Sequence, residues 1–210
     1  MPGMPTSPAA ALLNLFAMWV AMMAGMMLPS AAPTILLFRA MARQRRASGR
    51  PGLSVSAFIG GYLAVWTGFS ALAALAQTRA HSALLDLTGV SHGAALLAGA
   101  MLLVTGVYQW TPVKTACLTH CRSPLGHFTA HWREDTLGAF RMGGEHGTIC
   151  LGCCWLLMAL LFVGGVMNPL WVGGLALLVL LEKVIPRGDL LGRLAGVGMV
   201  VWGVGLILRA

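Results

Sequence analysis

Residues 146–158, HGTICLGCCWLLM, set an imidazole, three thiols and a thioether at the mouth of an apolar run. On a helix, residues four apart share a face, so His146, Cys150, Cys154 and Met158 form one drifting stripe. Cys153 lies one step aside and can join Cys150 at i,i+3. Cys150 falls in the first turn of the helix expected from residue 148. Unpaired backbone N–H groups and the helix dipole there favour an anion, and the thiolate is the metal-binding form of cysteine.

A second cluster, CLTHC at 117–121, offers Cys117, His120 and Cys121, and HFTAH follows with His127 and His131. Cys-x3-Cys beside a histidine fits the ligand types and close spacing of zinc or Cu(I) sites. If this stretch folds back over the next apolar run, Cys117, Cys121 and Cys150 converge on one ion. His127 and His131 read equally well as polar residues of a surface helix.

A third set lies near the N-terminus, where Asn14, Met18, Met22 and Met26 are four apart and Met23 and Met27 occupy an adjoining face. Any single methionine here also reads as core packing. Thioethers and thiolates suit Cu(I) better than hard cations. The whole chain has six carboxylates, and only Glu182 lies near the end of an apolar run, which argues against a Ca²⁺ or Mg²⁺ site and against a carboxylate proton relay. The expected ligand set is therefore Cys117, His120, Cys121, His146, Cys150, Cys153, Cys154 and Met158 with Met18, Met22 and Met26. The expected ion is Cu(I), with zinc as the alternative.

The elements that must carry these residues follow from composition. Hydrophobic residues make up 58% of the chain and charged ones 10%, and the mean hydropathy is +0.79. An all-α, polytopic membrane bundle is expected, with about six transmembrane helices at roughly 10–38, 53–77, 91–111, 148–167, 169–185 and 190–208. Residues 1–210 then form one integral membrane domain, with no room for a separate soluble one.

Loop charge gives the orientation. Arg39, Arg43, Arg45, Arg46 and Arg50 follow the first span; Lys114, Arg122, Arg133 and Arg141 lie in the connection 112–147; Lys183, Arg187 and Arg193 flank the last turn. The other side holds only Arg79 and Arg209. By the positive-inside rule both termini are non-cytoplasmic, and the Cys/His-containing loop 112–147 is cytoplasmic. The net charge of +8 is then a topology signal rather than a nucleic-acid patch. No Lys or Arg precedes the first apolar run, so no cleaved signal is expected. All five cysteines fall on the reducing side, and their odd number disfavours a disulfide framework.

Smaller features complete the reading. Pro29 and Pro33 are expected to kink the first span. Residues 77–90, with His81 and Asp86, read as an outer interfacial helix, and His81 and His92 as solvated. Leu125, Phe128, Trp132, Leu137 and Phe140 suggest an amphipathic surface helix, and Gly143, Gly144 and Gly147 a flexible approach to the fourth span. Small residues at Gly60, Ala64 and Gly68, and at Gly192 and Gly196, suggest close helix contacts. Tyr62, Trp110 and Trp171 read as interfacial anchors, and Glu182–Lys183 as a pair near the cytoplasmic interface.

MWVAMMAGMMLP (18–29), YQWTPVKTACLTHCRSP (108–124), GTICLGCCWLLM (147–158), GVMNPLWV (165–172) and EK (182–183) together resemble a family of bacterial integral membrane proteins described as predicted metal-binding, of unknown function. The resemblance spans most of the chain. It implies a compact helical protein of the bacterial inner membrane whose suspected ligands are Cys117, Cys121, Cys150, Cys153 and Cys154. Where the family often has Met after the Trp of the fourth motif, this chain has Val172, which removes one soft donor near the outer surface; Met167 and Asn168 remain there.

Three functions are compatible with these residues. The first is a Cu(I)-binding membrane protein that moves or delivers the ion by exchange among weak soft sites. The second is an accessory subunit of a larger membrane complex, with a protein partner. The third is a membrane thiol oxidoreductase using Cys150 and Cys153, although no cofactor motif accompanies them. The expected partners are otherwise the lipid bilayer and the metal ion, with no nucleic acid.

Overall fold

The computed structural model describes residues 7–49, 53–86, 90–130, 132–133 and 135–210; the side chains of 80–92, 127 and 130 are not among those described. His81, Asp86, His92, His127 and His131 therefore lie outside the described side chains. The described chain is all α-helical: α1 Pro8–Ala47, α2 Val55–Asp86, α3 Val90–Tyr108, α4 Pro112–Arg122, α5 Leu125–Ala130, α6 Thr136–Ala159, α7 Leu161–Gly164, α8 Pro169–Val184 and α9 Gly188–Ile207.

Among the described residues, four helical stretches are long and apolar enough to cross a membrane: Pro8–Ala47, Val55–Arg79, Thr136–Gly164 and Gly188–Ile207. A fifth is added if α3 and α4, bent by 65° at their junction, count as one. The expected fifth span is α8, which has only 16 helical residues, short of the roughly twenty that a crossing needs. The 40 residues of α1 run about 60 Å at ~1.5 Å per residue, roughly twice the hydrocarbon thickness, so its arginine-bearing end projects past any bilayer core.

Local sequence sets the ends of these helices. Ser7 accepts from Ala10 N–H, with Pro8 in the first turn of α1. Thr111 caps α4, Asp135 caps α6 and Asn168 caps α8. Pro29 and Pro33 do not interrupt α1, which continues through both to Ala47. Beside them the Met27 carbonyl accepts from Ser30 Oγ at 2.9 Å and from Tyr62 Oη at 3.2 Å, so local hydroxyls serve the backbone there.

The largest departure from the sequence reading is α6. It starts at Thr136, so 143–147 is continuous helix rather than a flexible approach, and Cys150 sits mid-helix rather than in a first turn. The helix-dipole argument for Cys150 fails accordingly. Glycine weakens an isolated helix, but here it permits contact with α2. A Cβ on Gly143 would strike the Phe58 carbonyl, one on Gly61 the Phe140 carbonyl, and one on Gly147 would lie 3.2 Å from the Tyr62 carbonyl. The α3–α9 contact is built the same way: a Cβ on Gly106 would lie 2.8 Å from the Gly196 carbonyl, and one on Gly203 2.8 Å from the Gly99 carbonyl. Of the small-residue stripes expected, Gly192 and Gly196 are used, whereas Gly68 faces open space and the close contact on α2 falls to Gly61.

The segment 112–147 is mostly helix. Phe128 is fully buried in a cluster with Phe38, Phe58 and Met142, while Leu125, Leu137 and Phe140 stay exposed. Phe38 and Phe58 stack at 4.4 Å, Trp132 covers Phe38 at 5.6 Å, and Arg45 lies 4.4 Å over the Trp132 ring. This aromatic box ties the basic end of α1 to α5 and the start of α2. The larger core cluster lies deeper and holds Trp19, Met23, Met26, Met27, Trp66 and four of the cysteines.

Candidate metal centre

α4 packs against α6, and this contact brings the two cysteine motifs together. Lys114, Leu118 and Cys121, at i, i+4 and i+7, form the inward face of α4. On α6 the inward face carries Met142, His146, Cys150, Cys153, Cys154, Leu157 and Met158. The Cys121 thiol lies beside those of Cys150 and Cys153. Cys117, half-buried one turn earlier, brings its sulfur against Gly152, where a Cβ would meet it at 2.8 Å.

Cys150 is the hub. Its fully buried sulfur lies 3.0 Å from Lys183 Nζ on α8 and 3.2 Å from Tyr62 Oη on α2. Lys183 also donates to Ser30 Oγ at 3.0 Å, and Ser30 and Tyr62 both reach the Met27 carbonyl. A closed polar ring of Lys183, Ser30, the Met27 carbonyl, Tyr62 and Cys150 thus joins α1, α2, α6 and α8. Lys183 keeps some residue exposure along its stem, while its Nζ is enclosed.

The other two α6 thiols are engaged with backbone. Cys153 Sγ donates to the Cys150 carbonyl at 3.0 Å, and Cys154 Sγ to the same oxygen at 3.1 Å. Among the described residues, no group of three or more His, Cys, Asp and Glu side chains stands in an arrangement that could hold a metal ion. In the conformation seen, the thiols satisfy each other, a lysine and a carbonyl. Ligation by Cys153 or Cys154 requires a side-chain rotation that breaks one modest hydrogen bond, about 1 kcal/mol net, and releases the thiol proton.

The remaining predicted residues divide. His146 is buried, its ring flanked by Tyr62 at 5.9 Å and Phe58 at 6.2 Å between centroids, one helical turn from Cys150. Met158 is fully buried in the same cluster as the cysteines. His120 is not brought to the thiols: it is exposed, its Nδ1 lies 2.9 Å from the Ala116 carbonyl, and it lines an open groove with Trp110 and Arg193. The stripe Met18, Met22 and Met26 is graded, with Met18 and Met22 half-buried and Met26 buried. The fully buried pair is the adjoining Met23 and Met27.

Four residues of this centre read differently in the sequence. Tyr62 is a core residue touching Cys150, not an interfacial anchor. Glu182 and Lys183 are not paired with each other: Glu182 accepts from Lys114 Nζ at 2.8 Å through both carboxylate oxygens, while Lys183 turns to the thiol. Lys114, counted as loop charge, is 3% exposed and also donates to Gln109 Oε1. An ionisable residue close to an apolar run was the available signal for all three charged groups.

Sulfur dominates the donor chemistry: five free cysteines on α4 and α6, with buried methionines in the same cluster. Such a set fits a soft monovalent cation and fits Mg²⁺ or Ca²⁺ poorly. No curated protein and no solved structure matches the chain. The profile of the PpoB2 family, described as a copper chaperone, matches residues 16–206, from the methionine face of α1 through both cysteine motifs into α9. With that match covering nearly its whole length, the chain belongs to this copper chaperone family.

Proposed function

We propose that the protein is one multi-pass unit over residues 1–210 of a bacterial inner membrane, and that it binds Cu(I) through the thiols of α4 and α6 and passes it on by ligand exchange. The observation that carries this reading is the contact of Cys121 with Cys150 and Cys153, which unites two cysteine motifs from separate helices. Exposure falls from Cys117, half-buried on α4, to Cys150, fully buried on α6, which supports an order of handover. Met23, Met26 and Met27 extend the soft surface along α1 away from the thiols. Both termini are then non-cytoplasmic, and the arginine-bearing ends and the thiols face the cytoplasm.

Purification under reducing, anaerobic conditions followed by metal analysis by mass spectrometry tests the reading. The wild type is expected to carry about one copper per chain, and a variant with Cys117, Cys121, Cys150, Cys153 and Cys154 all changed to Ser none. Zinc at the same stoichiometry, or copper that persists in the variant, sinks it.

A further inference from the structure

We propose that Lys183 is the fixed counter-charge of a two-thiolate Cu(I) site formed by Cys150 and Cys121, and that it makes this site favour a monovalent, two-coordinate metal. The proposal rests on the copper-binding reading above and adds the residue that selects the ion. It starts from what surrounds Lys183 Nζ. The ammonium donates to Ser30 Oγ and to Cys150 Sγ, each at 3.0 Å, and of these two only the sulfur can carry negative charge. The neighbouring carboxylate, Glu182, is committed through both oxygens to Lys114.

Charge arithmetic in a low-dielectric interior then discriminates between ions, because a net charge left there is costly. Two thiols binding Cu(I) give the anion [Cu(SR)₂]⁻ and release two protons. The Lys183 ammonium, 3.0 Å from the Cys150 sulfur, brings the sum to zero. A divalent cation on the same two sulfurs is itself neutral with them, so the ammonium leaves an uncancelled +1 at 3.0 Å from one ligand. The helices agree: Cys121 meets Cys150 from α4, and Lys183 reaches the same sulfur from α8 at 3.0 Å.

The test uses the full chain in detergent, with Cu(I) supplied from a chromophoric Cu(I) chelator under anaerobic conditions, and compares wild type, Lys183→Met and Lys183→Arg. Lys183→Met is expected to weaken Cu(I) binding by about tenfold or more, and X-ray absorption of its residual copper should show one thiolate replaced by a neutral donor. Lys183→Arg is expected to hold Cu(I) within about threefold of wild type, with two sulfur ligands. Should Lys183→Met fail to fold, the wild-type spectrum decides alone: two sulfurs support the counter-charge, three or four overturn it. Lys183→Met that binds within about twofold of wild type with an unchanged spectrum overturns the counter-charge and leaves copper binding standing. A wild type that takes up no Cu(I) overturns the proposal together with the reading beneath it.

Discussion

Lys114 and Lys183 place two ammonium groups in the same bundle and treat them in opposite ways. Lys114 is buried with a carboxylate, both oxygens of Glu182 at 2.8 Å, and with the Gln109 side-chain carbonyl. Lys183, the next residue after that carboxylate, meets a hydroxyl and a thiol. The first arrangement is saturated by a permanent anion and serves structure, latching α4 and the end of α3 to α8. The second leaves the cation beside a group whose charge and ligands can change. Adjacent positions on one helix thus separate a lock from a site, and the partner's chemistry decides which is which.

The sharpest way to break this contrast is Glu182→Ala. It strands a buried ammonium that is 3% exposed, so a loss of about 3–5 kcal/mol is expected in unfolding measured in detergent, with most of it recovered when Lys114→Met is added. A loss under about 1 kcal/mol would mean that the two lysines are alike. Cys150→Ser leaves Lys183 a hydroxyl in place of the sulfur and should cost about 1.5–3 kcal/mol while removing most bound copper. A cost matching Glu182→Ala would show that the thiol is as structural as the carboxylate.

Ser30→Ala removes the neutral half of the Lys183 shell and one hydroxyl from the Met27 carbonyl; about 1 kcal/mol is expected in the same unfolding measurement, with copper stoichiometry intact. Arg133→Ala supplies the floor of the scale. Its ion pair with Glu145 at 3.1 Å joins side chains 40% and 36% exposed, and thermal unfolding should move by less than about 1 kcal/mol.

Much of this centre was legible in the sequence. The i,i+4 stripe Cys150–Cys154–Met158 follows from helical periodicity, while the convergence of CLTHC on it is conditional on that stretch folding back; Cys121 does meet Cys150 and Cys153 where α4 packs on α6. The start of α6 was not legible, because GAFRMGGEHG has the composition of a loop. Its helical form depends on glycines that press onto α2 carbonyls, a tertiary contact that local propensity does not encode. His120 was misplaced for a related reason. It follows Cys117 by three and precedes Cys121 by one, so type and spacing suit a ligand, but the inward arc of α4 is narrow and belongs to Lys114, Leu118 and Cys121. Lys114 itself was hidden by its charge, which reads as solvated until Glu182 is seen opposite it.

The glycine contacts between α2 and α6 have a mechanical consequence. Side chains between two helices act as a cushion over which one can slide; Gly61 and Gly143 set backbone directly on backbone and remove that slack. Tyr62 and the three α6 cysteines therefore share one stationary frame. α4 carries no glycine of its own and hangs from a 65° bend after α3, held on its inward face by the Lys114–Glu182 latch. Any change in how Cys117 and Cys121 sit against the α6 thiols is accordingly a change in the pitch of α4 about that bend.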